Sequence, residues 1–125
     1  MKKIIKTEKA PGAIATYSQA VEINGMLFIA GQIPIDPATG KLVSGGILEQ
    51  TEQVMKNIGA ILDAAGYTFK DVVKCTCLLT DMSHYADMNT IYGKYYFKEA
   101  PARAAFAAAG LPMGALVEIE TIASK

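Results

Sequence analysis

The chain has 125 residues, 51% of them hydrophobic, which is enough for one compact domain, residues 1–125, with a core of its own. Lysine plus arginine and aspartate plus glutamate number 12 each, so the formal net charge is zero. That balance excludes a broad basic field of the kind that holds nucleic acid, and it does little to oppose self-association.

The N-terminal segment MKKIIKTEKAPGAIATYS carries two early lysines but no long apolar region, so it does not read as a secretory signal. No apolar run approaches the length of a membrane span. Lys3–Thr7 predicts a short strand, ended by Pro11-Gly12. Tyr17–Ile23 and Met26–Ala30 are rich in β-formers and are joined by Asn24-Gly25. Both turn residues tolerate positive φ, so this is a hairpin. Turn chemistry in Asp36-Pro37-Ala38-Thr39-Gly40 predicts a surface loop over Ile33–Gly46.

Ile47–Ala65 is the clearest helix. Ile47, Leu48, Thr51, Val54, Met55, Ile58, Ile61, Leu62 and Ala65 follow the i, i+3, i+4, i+7 pattern of an apolar stripe. Glu49, Gln50, Glu52, Gln53, Lys56, Asn57 and Asp63 make the opposite, solvated face, and Gly66 stands where a C-terminal cap belongs. Asp71–Thr80 predicts a strand whose Val73, Cys75, Cys77 and Leu79 face is wholly apolar. Asp81 or Ser83 caps a second helix that runs to about Phe97. Arg103–Ala109 and Ala115–Ala123 predict a closing hairpin.

This order gives an α+β fold: a mixed sheet with two helices packed on one face. The other face is left part apolar and part alanine-rich, and such a face usually finds a partner subunit. The two cysteines, Cys75 and Cys77, lie two apart on a strand, with Cα atoms about 6.5–7 Å apart. That geometry is wrong for a disulfide, and without a second Cys/His pair it is no zinc site. Buried, reduced thiols suit a cytoplasmic protein.

The candidate chemistry is confined to a few side chains. Arg103 opens a strand after Pro101 beside the small residues Ala104 and Ala105, which leave room around a guanidinium fork suited to a carboxylate. The competing reading is a structural ion pair with Glu118 or Glu120 across the hairpin. Strand register decides which of the two would face it, and spacing does not fix the register. Asn89 lies between Tyr85 and Tyr92 on the helical wheel, where its amide needs partners. Tyr17 starts a strand, and from the residues alone its phenol reads as a core residue with a wet edge. His84, the one histidine, has no nucleophile motif to serve, and no phosphate loop, dinucleotide fingerprint or metalloprotease motif occurs. Any reaction therefore runs on Arg, Glu, Tyr, Asn and backbone groups, with no metal and no nucleotide.

Several segments, taken in order, resemble the RidA family, also called the L-PSP endoribonuclease family. They are Ala10-Pro11, Tyr17-Ser18-Gln19-Ala20-Val21, Phe28-Ile29-Ala30-Gly31-Gln32-Ile33-Pro34, Asp36-Pro37-Ala38-Thr39-Gly40, Asn89-Thr90-Ile91-Tyr92, Pro101-Ala102-Arg103-Ala104-Ala105, and Leu111-Pro112 followed by Val117-Glu118-Ile119-Glu120. The resemblance spans nearly the whole chain, and its C-terminal block is the most specific part. It implies a chorismate-mutase-like fold with a six-stranded sheet, assembled as a barrel-like homotrimer with active sites between subunits. It implies hydrolysis of reactive enamines and imines such as 2-aminoacrylate, 2-iminopropanoate and 2-iminobutanoate to 2-oxo acids and ammonia, without a cofactor.

By the same resemblance, Arg103 matches the arginine that binds the substrate carboxylate, and Glu118 the glutamate that places or activates water. Glu120 is then a second, structural acid. Tyr17 and Asn89 match pocket residues, and Gly31 matches a glycine whose backbone lies against substrate. The backbone of Ala105 sits where many members carry a cysteine. Ala30 replaces the serine common before that glycine, a departure that bears on any hydroxyl contact there. Two rival readings stand beside this one. The first is an endoribonuclease or translation inhibitor, for which Lys2, Lys3, Lys6 and Lys9 offer no dense basic stripe. The second is a non-catalytic module that binds small 2-oxo acids.

Overall fold

A computed structural model describes residues 1–125. The strands are β1 (Lys3–Ile5), β2 (Ala20–Ile23), β3 (Met26–Gln32), β4 (Ile35–Asp36), β5 (Lys41–Leu42), β6 (Val72–Leu79), β7 (Ala102–Ala107) and β8 (Val117–Ser124). The helices are α1 (Ile47–Ala65) and α2 (Tyr85–Tyr95). Six strands form one mixed sheet in the order β1-β2-β3-β8-β6-β7, while β4 and β5 make a separate small hairpin within the expected loop.

Local chemistry explains most of these elements. Asn24 and Gly25 take φ of 50° and 75°, which closes the β2–β3 hairpin tightly. Helix α1 spans the periodic segment expected for it. The Glu49 side chain accepts the Gly46 N–H at its start, at 2.8 Å. Gly66 ends it in the left-handed region at φ 81°, and Lys125 Nζ donates to the Gly66 carbonyl at 2.6 Å. Asp81 accepts from the Ser83 N–H at 2.8 Å and opens a short 3-10 turn, Met82–His84, ahead of α2. The same bond holds the Asp81 carboxyl below its usual pKa.

Val54, Met55, Ile58, Ile61 and Leu62 of α1 pack with Leu27, Cys75, Cys77, Leu79, Met88, Val117 and Ile119 in a single buried cluster. Each large aliphatic side chain so buried contributes about 1.5–3 kcal/mol relative to exposure. Both cysteines are free, and burial, together with the neighbouring Cys75, pushes the Cys77 thiol up to about 12.

Three expectations are corrected here. Leu48 is exposed, whereas Gln50 and Asn57 of the supposedly solvated face are buried. Gln50 Oε1 accepts the Leu116 N–H at 2.8 Å, and Asn57 Nδ2 donates to the carbonyls of Ile33 and Ile35 at 3.2 and 3.0 Å. These amides satisfy loop backbone that packing would otherwise strand. In β6 a bulge between Val72 and Lys74 turns Val72 inward and Val73 outward.

The largest correction concerns the C-terminal strands. They do not form a hairpin: β7 pairs parallel with β6, while β8 lies antiparallel between β3 and β6. Each helix is thus a crossover. α1 carries the chain from β3 to β6 with a gap left for β8, and α2 joins β6 to its parallel neighbour β7.

Register assigns every strand residue to a face, because directly paired residues point the same way. Ile5, Ala20, Ile29, Thr121, Cys75 and Arg103 make one row on the helix side. Glu118, Leu78 and Phe106 make a row on the opposite, uncovered side. That side also presents Ile4 and Phe28, both exposed. No helix is long and apolar enough to cross a membrane.

Candidate active site

Arg103 enters on β7, the edge strand, and points to the helix side, where it meets α2. Its Nη1 donates to Asn89 Oδ1 at 2.6 Å, and its Nη2 donates to the Tyr85 hydroxyl at 2.8 Å. The guanidinium carbon lies 5.4 Å from the Tyr85 ring centroid and 4.8 Å from that of Tyr92. Both faces are attractive to a cation. Tyr85, Asn89 and Tyr92 follow an i, i+4, i+7 spacing, so one stripe of α2 supplies all three. Ala105, two residues along β7, shares Arg103's side of the sheet and leaves the space beside it open. Both hydrogen-bond partners are neutral side chains, so neither supplies a counter-charge to the guanidinium. Three of its five N–H groups remain for an anion.

A second group of side chains gathers across the sheet. At Ala30-Gly31 a bulge interrupts the pairing of β3 with β8, between Ile29 opposite Thr121 and Gln32 opposite Ile119. The Glu118 carboxylate lies against Gly31 with no room for a Cβ between them: a methyl at Gly31 would stand 2.9 Å from Glu118 Cδ and closer still to one oxygen. Tyr17, Gly31 and Glu118 line a cavity of about 420 Å³ whose remaining walls include Ile14, Ile33 and Met113. Partial burial and then the charge of Glu120 raise the Glu118 pKa above the ordinary carboxylate value. Tyr17 does not start a strand as expected. It lies in a bend before β2 and is half exposed. Gln19 anchors this arm: it accepts the Thr7 N–H and donates to the carbonyls of Thr7 and Pro11.

The anticipated residues therefore fall into two groups. Arg103, Asn89 and Ala105 share the helix side at the β7 edge, and Tyr17, Gly31 and Glu118 share the cavity that Glu118 reaches from the uncovered side. Within one chain a structural ion pair between Arg103 and Glu118 or Glu120 is excluded, because the acids project from the other face of β8. No three His, Cys, Asp or Glu side chains come together as they would around a metal ion. The sequence places Tyr85 beside Asn89 on the helical wheel but gives it no role of its own. Its position one turn before Asn89 was the signal that it could reach the same partner.

Gly31→Ala tests the closeness of Gly31 to Glu118. Gly31 has no positive φ, and the clash falls on the end of a flexible side chain. The fold should survive with a melting temperature within about 5 °C of wild type. Displacing the carboxylate should lower turnover of any reaction that uses it by about tenfold or more. Calorimetry and steady-state rates on the same preparation check both halves.

The chain belongs to the L-PSP endoribonuclease family, to which the RidA proteins belong: the family model described as Endoribonuclease L-PSP matches residues 7–125. A RutC family protein of Pyrococcus horikoshii is 53% identical over 125 residues, covering 100% of this chain and 99% of that protein. The 2-iminobutanoate/2-iminopropanoate deaminase of Mus musculus is 50% identical over 123 residues, covering 98% of this chain and 91% of the relative. Among solved structures, RidA from an Antarctic Psychrobacter superposes with a TM-score of 0.95 at 45% identity, covering 98% of this chain and 99% of that one. Escherichia coli TdcF, solved with bound serine, gives 0.94 at 36% identity, covering 98% of each chain.

Proposed function

We propose that this protein is an imine deaminase, hydrolysing 2-iminobutanoate, 2-iminopropanoate and the related enamine 2-aminoacrylate to 2-oxo acids and ammonia. The observation that carries the reading is Arg103: a cation fixed by neutral groups, with free N–H donors, in a chain about half identical to proteins named for this activity. 2-Aminoacrylate first takes a proton at its terminal carbon and loses one from nitrogen to become the imine. Water then adds to the C=N carbon, the carbinolamine loses ammonia, and the C=O bond replaces C=N. No electrons leave the substrate, so the overall change needs water alone. Arg103 holds the carboxylate, and Ala105 leaves space beside it. Glu118 takes a proton from the attacking water and returns one to the leaving nitrogen, a role its raised pKa favours. Tyr17, Asn89 and Gly31 complete the pocket.

The two faces bear on the assembly. A substrate of a few carbons cannot touch Arg103 on one side of the sheet and Glu118 on the other side within one molecule. A second copy, docking the surface that bears its Tyr17, Gly31 and Glu118 against the β7 edge of the first, would bring both groups to one cleft. Such a contact joins unlike surfaces and makes a ring when its rotation closes, and the family resemblance favours three members. The exposed Ile4, Phe28 and Phe106 supply apolar area for it. The domain is a single unit, small 2-imino and 2-oxo acids are its partners, and cytoplasmic amino-acid metabolism is the setting that fits.

The test generates 2-aminoacrylate or 2-iminobutanoate in situ with a pyridoxal-phosphate dehydratase and follows imine absorbance. Added protein should speed its decay and the release of ammonia in proportion to concentration. Decay at the rate of buffer alone would reject the proposal, and binding of 2-oxobutanoate without turnover would leave the sensor reading in its place.

A further inference from the structure

A guanidinium turns about the last bonds of its side chain, and a carboxylate fork requires that its plane be held. One hydrogen bond to Asn89 at Nη1 leaves rotation about that contact. The Tyr85 hydroxyl accepts from the other terminal nitrogen, at 2.8 Å, and the two bonds together define the plane. The Tyr85 and Tyr92 rings then limit tilting. Tyr85 and Asn89 both project from α2, and Arg103 comes from β7, so the rigid helix sets the direction of the fork.

We propose that the Tyr85 hydroxyl is a positioning residue for carboxylate recognition, holding the Arg103 fork so that its three remaining N–H groups meet a 2-imino or 2-oxo acid. This rests on the reading of Arg103 given above. Phenylalanine at this position would keep the ring, its packing and its attraction for the cation, and would remove only the second point of attachment. The hydroxyl does not touch the reacting carbon, so it acts on the strength of binding and leaves the chemical step alone.

Five proteins separate the possibilities: wild type, Tyr85→Phe, Arg103→Ala, Arg103→Lys and the double variant Arg103→Lys with Tyr85→Phe. The affinity for 2-oxobutanoate is measured by titration calorimetry, KM and kcat by imine decay, and the melting temperature by calorimetry. Tyr85→Phe should raise Kd and KM together, by about three- to tenfold, with kcat within about twofold and melting little changed. In an Arg103→Lys background, which has no fork, the same substitution should have almost no effect on Kd. Unchanged Kd in Tyr85→Phe, or a fall in kcat at constant Kd, would overturn the positioning role. If Arg103→Ala binds 2-oxobutanoate as wild type does, the carboxylate reading of Arg103 falls and Tyr85 falls with it. If only Tyr85→Phe is silent, the reading of Arg103 survives alone. A wild type that binds but does not hydrolyse still tests Tyr85 through Kd.

Discussion

Arg103→Ala is expected to lower kcat/KM for imine hydrolysis by about a hundredfold to several thousandfold, the loss of about 3–5 kcal/mol of charge-assisted binding. The size follows from the surroundings of the guanidinium. Its fixed partners, Asn89 and Tyr85, are uncharged, so no carboxylate of the same chain competes with the substrate for it. Both rings that flank it contribute attraction without satisfying its N–H groups. Removing the side chain leaves Asn89 and Tyr85 facing a half-exposed edge where water can replace it. The stability cost is therefore small, about 1 kcal/mol or less, and melting separates lost binding from lost folding. Arg103→Lys should recover only part of the activity, since an ammonium offers a point charge in place of a planar fork. Full activity in the alanine variant would remove Arg103 from the site altogether.

That Arg103 could be found from the sequence, while its setting could not, has a physical reason. A lone arginine among alanines on a strand is visible in any linear reading. Its neighbours depend on which strands pair, and the alternation of apolar and polar residues in β7 and β8 is the same for a hairpin as for two strands parted by β6. The helix period in α1 is local, so Ile47–Ala65 was legible to the residue. Gln50 and Asn57 were misplaced because their burial serves backbone groups at Ile33, Ile35 and Leu116, far off in the chain, which the period of the helix does not reveal. Asn24-Gly25 could be read because its turn type is written in two residues. The bulges at Gly31 and at Val73 could not, since an inserted residue shows itself only against the partner strand. Tyr85 was hidden for a related reason: a phenol on an apolar stripe counts as packing until a cation appears at its hydroxyl.

Glu118→Gln provides the second large effect, and it separates function from stability. As the group that moves protons between water and nitrogen, Glu118 should contribute about 10²–10⁴-fold to kcat, with KM nearly unchanged because Arg103 still holds the carboxylate. Stability should move the other way. Burial and the nearby Glu120 make ionisation harder in the folded protein than in the unfolded chain. A carboxyl whose folded pKa is raised adds stability that is fully present below the unfolded pKa and is lost as pH rises through the folded value. Glutamine does not titrate, so it escapes that loss. The melting temperature of the variant, relative to wild type, should therefore improve as pH rises from below the ordinary carboxylate value through the raised one, by a small amount because Glu118 is only partly buried. The pH profile of kcat/KM carries the same signature. An acid limb displaced upward from the ordinary carboxylate value should appear in wild type and vanish in the glutamine variant. A variant that keeps both its rate and its acid limb would assign the proton transfers to another group. One that loses activity together with melting temperature at pH 7.5 would make Glu118 structural, against its half-exposed place beside Gly31.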